Sequence, residues 1–509
     1  MRMMKRLRSA LLVLMLLGGL LALATPAGAF GPSVLFSPSG SCNRPYCTTY
    51  VKSAQTNSGR ILATFENNNQ PANGQTFPIF SSTDDGRSWT KIASVADGSP
   101  RHWNSMWTNP NFLVLPQQIG TMPAGTILLA GIVSPPDRSA TAIHLYRSND
   151  DGFHWTYVSE VAVGGGQWGS ADPTPIWEPF MLVANNKLIV YYSDERDKAG
   201  HDQKLVHQTS ANGLTWGSVA EDVALPDRAL RPGMPVVTRM ASGQYIMVFE
   251  MVGLSGTPNH YKISSNPESW NAADDGSPMG DGGGSPWIIT LPNGRLVYNS
   301  YGTGGDARIN TTNGTGAWTT VKTTMPRGYS RMLQYVRGTG RVLVLAAEGF
   351  WLNTPNPVYY GDVDLGYSAG PYYKLVNRKS GKALDTYQAG LQDGAQLVQW
   401  ADNGGHNQHW HVTDVGNGYR TLFNRNSGRT VAIWQTSTAD GANAVQWVEN
   451  NGGDQQWELV PTGSYYKIRA RHSGKVLSVW QGATTDGARI VQWTDNGGLD
   501  QQWQLVPAS

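Results

Sequence analysis

"SSTDDGRSW", Ser81 to Trp89, and "RSNDDGFHW", Arg147 to Trp155, share one pattern, Ser-x-Asp-x-Gly-x-x-Trp. Asp and Gly at this spacing are turn chemistry. The short carboxylate bonds nearby backbone amides, and the glycine takes a left-handed conformation at no steric cost. "QTSANGLTW", ending at Trp216, keeps the Gly and Trp but carries Ala211 where Asp is expected, and "SSNPESW" and "TTNGTGAW", ending at Trp270 and Trp318, are fainter echoes. The tryptophans lie 66, 61, 54 and 48 residues apart, close to the length of one small four-stranded sheet. Between them run short apolar segments bounded by Gly, Asn and Asp, the composition of an all-β chain.

The motif resembles the Asp-box of sialidase-like β-propellers, which implies a turn between the outer strands of each blade. The aspartates are then structural rather than catalytic. The stretch from Phe30 to about Gly366 has room for six blades of roughly 55 residues.

A second, stricter repeat follows. "NRKSGKALDTYQAGLQDGAQLVQWADNGGHNQHW" recurs twice more, with Ser-Gly pairs at Ser380, Ser427 and Ser473 and Gln-Trp pairs at Gln399, Gln446 and Gln492. Both sets step by 47 and then 46 residues, one supersecondary unit used three times. Each repeat closes on Gln-x-Trp, ending at Trp410, Trp457 and Trp503. This resembles the ricin-B-type β-trefoil lectins and implies a carbohydrate-binding module over 370–509. The terminal tryptophans are then core plugs. The sugar pocket falls on repeat one, with Asp385, Trp400, Asn407 and Gln408. Repeats two and three have Ala432 and Ser478 at the Asp position and Asp454 and Asp500 at the Asn position, so those pockets are expected to be weakened or altered.

The first residues read differently. Arg2, Lys5, Arg6 and Arg8 precede an apolar stretch from Ala10 to Ala24, followed by Ala27-Gly28-Ala29. This is the pattern of a secretory signal peptide over 1–29, and export is expected. Its removal leaves 35 basic against 37 acidic side chains, a net charge of −2 instead of +2. No basic field remains for nucleic acid, and no later segment is apolar enough for a membrane. The only two cysteines, Cys42 and Cys47, are five apart and in an exported chain are expected to close a local disulfide loop.

No nucleophile elbow, zinc-binding His pair or phosphate loop occurs, and no metal or cofactor is expected. "GDGGGSP", Gly280 to Pro286, lacks the strand-to-helix context of a phosphate cradle and reads as a loop. Carboxylates remain. Glu178 enters an apolar run directly after Trp177, and Glu250 ends the run "GQYIMVFE". Two carboxylates on inner strands of different blades would meet on a propeller's axis, the arrangement that glycoside hydrolysis uses.

"WEPF", "YYSDERD", "QKLVHQTS", "RPGMPVV" and "GQYIMVFE" occur in this order over 177–250. Together they resemble the exo-α-1,5-L-arabinanases of glycoside hydrolase family 93. The resemblance implies a six-bladed propeller that hydrolyses plant cell-wall arabinan with retention and releases arabinobiose, with Glu178 as nucleophile and Glu250 as acid/base. Trp177, Asp194 and Arg196 are candidate substrate contacts, and Trp103, Trp107 and Trp287 further stacking platforms. Two other readings stay open. A sialidase would set Arg44, Arg231 and Arg327 around a carboxylate with Tyr329 as nucleophile, and a two-domain lectin would bind sugar without cleaving it.

Overall fold

The computed structural model describes residues 30–508 apart from 72, 104–107, 168, 172, 338, 348–354, 364, 366–371, 448, 450 and 451. The expected leader over 1–29, Trp107 and the seam between 366 and 370 lie outside the described residues. Six four-stranded antiparallel sheets follow one another along the chain and form the ring of a six-bladed propeller. Their innermost strands are Thr48–Gln55, Thr108–Val114, Ile176–Ala184, Arg231–Arg239, Trp287–Thr290 and Met332–Val336. The second strands are the most apolar. Ile61–Asn67 and Ile127–Val133 are buried at every residue, because neighbouring blades cover both faces of each sheet.

The last blade is completed by the other end of the chain. Ser33–Phe36 pairs antiparallel with Val358–Val363 as its fourth strand. This closure explains why six blades carry only five tryptophan-ended turns. In the sixth blade no turn joins the third and fourth strands. Elsewhere the turn works as its residues dictate. Asp84 accepts from the Ser88 amide (2.9 Å) and Asp150 from the His154 amide (2.9 Å). The Trp89 and Trp155 indoles donate to the carbonyls of Gly86 (3.0 Å) and Gly152 (2.9 Å). In the third blade, where Ala211 replaces the Asp, Asn212 accepts from the Leu214 amide (2.8 Å), so a one-residue-shorter turn does the same work.

The second unit contains twelve strands with a pseudo-threefold repeat. Its two in-phase dipeptides are partners. The hydroxyls of Ser380, Ser427 and Ser473 donate to the side-chain oxygens of Gln399, Gln446 and Gln492 at 2.7, 2.7 and 2.8 Å. Trp410, Trp457 and Trp503 are fully buried, and each indole donates to a carbonyl 26 residues upstream, of Leu384, Val431 and Leu477. This unit sits against the far ends of the innermost propeller strands. Asp393 bridges Arg239 of the propeller (2.6 Å) and Arg429 (2.7 Å), and the Tyr372 hydroxyl donates to the Arg337 carbonyl (3.0 Å). Cys42 and Cys47 are bonded to each other, with Cα atoms 5.3 Å apart.

Candidate active site

The near ends of the innermost strands share a local distortion. One residue in each blade is left-handed: Tyr50, Asn109, Glu178, Met234, Ser285 and Ser330, all with φ between 50° and 59°. In four blades the residue sits in a β-bulge, between Thr49 and Lys52, Thr108 and Asn111, Trp177 and Phe180, and Gly233 and Val236. Bulges re-aim side chains, and they tolerate proline because the ladder there asks for no N–H. Pro110, Pro179, Pro235 and Pro286 each follow the left-handed residue. The ring therefore turns side chains toward the axis, where a cavity is lined by Tyr50, Asn109, Glu178, Met234, Trp287 and Ser330 among others.

Glu178 is the ring's carboxylate, in the third blade. Its Oε2 accepts from the Ser193 hydroxyl (2.8 Å) and the Met234 amide (2.8 Å), and its Oε1 from the Tyr50 hydroxyl (3.3 Å). Glu250 reaches the same place by another route. It lies on the second strand of the fourth blade, Tyr245–Val252, and not on an inner strand as the sequence suggests. It gains access because its register partner on the innermost strand is Gly233, which has no side chain to stand in the way. A Cβ on Gly233 would lie 3.3 Å from Glu250 Oε1, while the next residue's amide holds Glu178. The two carboxyls thus converge on the Gly233–Met234 corner.

Their environments push them apart. Burial raises Glu178, and bonds from Ser193, Met234 and Tyr50 pull it back, with Glu195 adding a smaller upward push. Glu250 is raised by burial and then by the Glu178 charge, to about 8, against one backbone bond from Ser285 and the charge of Arg231. With three donors against one, Glu178 ionises first and Glu250 keeps its proton.

The glycine-rich loop Gly280–Pro286 is the seat of Glu250. Its Oε2 accepts from the Ser285 amide at 2.8 Å, and a Cβ on Gly284, at φ +70°, would stand 2.1 Å from that oxygen. Sequence reading passed over this loop because nothing local distinguishes a carboxylate seat from any other glycine turn. Gly284→Ala must therefore displace the carboxyl. Activity is expected to fall about a hundredfold, the scale of a 1 Å misplacement. Initial rates alongside thermal melting check this, and an unchanged rate in a folded variant would show the seat to be unimportant.

The remaining candidates separate. The Trp177 indole donates to Glu195 Oε1 (3.0 Å), and Glu195 also holds Lys198 (2.6 Å) and Arg231 (3.0 Å), so Trp177 is fixed in orientation beside Glu178. The side chains of Asp194 and Arg196 bond each other twice (2.9 and 2.7 Å), and Arg196 also donates to the Val163 carbonyl and the Tyr192 hydroxyl. Neither lines the cavity around Glu178, and nor do Trp177 and Glu250. Of the aromatic candidates, Trp287 lines it and Trp103 does not, stacking instead near His144. The arginines of a sialidase clamp have separate partners. Arg44 donates to Gln167, Arg231 to Glu195 and Gln203, and Arg327 lies over Tyr301, none of them lining the cavity.

In the trefoil, Asp385, Trp400 and Asn407 line a pocket of about 380 Å³ with Tyr387, an exposed aromatic wall absent from the sequence reading. Asp385 Oδ2 accepts from Asn407 and Gln408, both at 2.9 Å. Gln408 is fully buried behind it and aims the carboxylate. Repeat three opens a similar pocket of about 330 Å³ between Trp480 and Trp493. There the carboxylate comes from the opposite wall, Asp500, which accepts from the Ser478 hydroxyl (3.1 Å).

The ricin-type beta-trefoil lectin domain-like family matches residues 363–447 and 453–509. The alpha-L-arabinanase of Penicillium chrysogenum, solved with arabinobiose, is 36% identical over 67% of this chain and 99% of its own, with a TM-score of 0.62. The family 93 alpha-L-arabinofuranosidase of Fusarium graminearum, also solved with arabinobiose, is 32% identical over 66% of this chain and 98% of its own, with a TM-score of 0.61. No curated protein sequence matches the chain.

Proposed function

The chain belongs to glycoside hydrolase family 93 and is a glycoside hydrolase of the arabinan type, and from that premise we propose that it is an exported, retaining, exo-acting α-1,5-L-arabinanase. The observation that carries this reading is the pair Glu178 and Glu250 at one corner, the first held by three donors and the second by one, with its carboxyl raised to about 8. Glu178, ionised and aimed by three donors, attacks the anomeric carbon of the second unit from the chain end, so that the terminal pair leaves as arabinobiose. Glu250 protonates the departing oxygen and then, as a base, activates the water that releases the sugar. Tyr50, Ser193 and the Met234 amide hold the nucleophile in place, and Trp177 and Trp287 offer apolar faces to a furanose.

A time course on debranched linear arabinan tests it. Arabinobiose is the expected product from the first minutes, with the polymer shortening slowly. An early ladder of longer oligosaccharides would overturn exo action, and no reducing sugar at all would favour the two-domain lectin.

The trefoil then holds the enzyme near polysaccharide and raises its effective concentration there. Asp385 is the acceptor for sugar hydroxyls in repeat one. Burial pushes it up to about 6, against the bonds from Gln408 and Asn407. Its ionised form is needed, so retention on insoluble arabinan should weaken as pH falls through about 6. Asp385→Ala should cost about 1–3 kcal/mol at that site, leaving hydrolysis of short soluble oligosaccharides unchanged. Pull-down with insoluble polysaccharide reads both effects. Retention indifferent to Asp385→Ala and to pH but lost with Asp500→Ala would move binding to repeat three.

A further inference from the structure

Below the left-handed ring lies a second ring, two residues further along each innermost strand. Five blades place Asn111, Phe180, Val236, Trp287 and Met332 there, and the first blade places Lys52. A lysine at a core position is anomalous, since burying an ammonium costs several kcal/mol unless something compensates. Lys52 is only 6% exposed. Its Nζ donates to the Ser330 hydroxyl (2.6 Å) and the Val51 carbonyl (3.2 Å), and it lies 4.8 Å from the centre of the Trp287 ring and 5.9 Å from that of Tyr50. Among the described residues it has no ion-pair partner, and it lines the same cavity as Glu178.

Resting on the reading of Glu178 as nucleophile, we propose that Lys52 is a positioning residue, a buried cation beneath the catalytic floor that keeps the Glu178 carboxylate ionised for attack. The groups around the pair leave it this role. Glu178 faces Tyr50 on the first blade, Ser193 and Glu195 on its own, Met234 and Glu250 on the fourth, and Tyr329 on the sixth. The Glu195 charge disfavours ionisation of Glu178, while Glu250, still protonated, and the tyrosines contribute no cation. Arg231 is bonded to Glu195 and Gln203. Lys52 itself faces Tyr50, Trp287, Ser330 and Glu178. Burial pulls it down to about 7 while the Glu178 charge pushes it up. Below about pH 7 the cation is therefore the main form in the cavity that Lys52 shares with Glu178. Once Glu178 has become an ester in the glycosyl-enzyme, the same cation favours return of the carboxylate as leaving group.

The test is the acid limb of kcat/KM, where activity disappears as Glu178 takes a proton. Lys52→Met keeps the side-chain length and packing over Trp287 and removes the charge. Its acid limb should move up by about one pH unit, while the basic limb set by Glu250 stays near 8. Lys52→Arg, retaining the cation, should hold the acid limb close to that of the wild type. An unshifted acid limb in a folded Lys52→Met, with only thermal stability reduced, would reduce Lys52 to packing and overturn the proposal. If Lys52→Met does not fold, Ser330→Ala withdraws one acceptor from Nζ and should shift the same limb upward by less, and no shift there overturns the proposal equally. A wild-type protein inactive on arabinan would instead defeat the nucleophile reading itself.

Discussion

Glu178→Gln should abolish arabinan hydrolysis, by about four orders of magnitude or roughly 5.5 kcal/mol of lost transition-state stabilisation, while the protein stays folded. The amide preserves the shape of the carboxylate but cannot form the glycosyl ester. Its oxygen still accepts the 2.8 Å bonds from Ser193 and Met234, so the propeller loses little. Binding of arabinobiose should persist, which separates a chemical defect from a structural one. Rates on linear arabinan together with a thermal melt decide it. A folded Glu178→Gln within tenfold of the wild-type rate would end the nucleophile assignment, and with it the account of why a carboxylate occupies a left-handed position.

Glu250→Ala should divide substrates by leaving group. On arabinan, where the departing oxygen needs a proton, the loss should be about a thousandfold, within the usual 10²–10⁴ contribution of a general acid. On an aryl arabinofuranoside with an acidic phenol the first step should survive. The covalent intermediate then accumulates for want of a base, and azide should accelerate turnover by taking the place of water. The same residue sets the basic limb. Its folded value is raised to about 8, and the protonated form is the active one, so wild-type kcat/KM should be present below pH 8 and fall as pH rises through it. In Glu250→Ala that limb should vanish. Equal losses on both substrates, with the limb retained, would assign the acid role elsewhere.

Local chemistry made much of this molecule legible in its sequence. Turn residues at a fixed offset from tryptophan reveal the blades, since a short carboxylate bonding turn amides needs no distant partner. The three trefoil units are equally plain, because Ser380 and Gln399, and likewise Leu384 and Trp410, are partners within one repeat. Glu178 was visible as a charge in an apolar strand.

What the sequence could not supply depends on pairings between residues far apart in the chain. Ser33–Phe36 closes the ring against a strand more than 300 residues later, and nothing in four residues announces that partner. Glu250 points to the axis because Gly233 opposite it leaves space, a matter of strand register. Gly284 and Ser285 seat that carboxyl from the next blade, and Lys52 stands out only when six innermost strands are superposed by their left-handed residues. Residue type and spacing determine turns, repeats and candidate charges, because those interactions close within a few tens of residues. Only the tertiary structure decides which buried charges face one another, because desolvation and the fields that divide one carboxylate from its neighbour come from atoms on other blades.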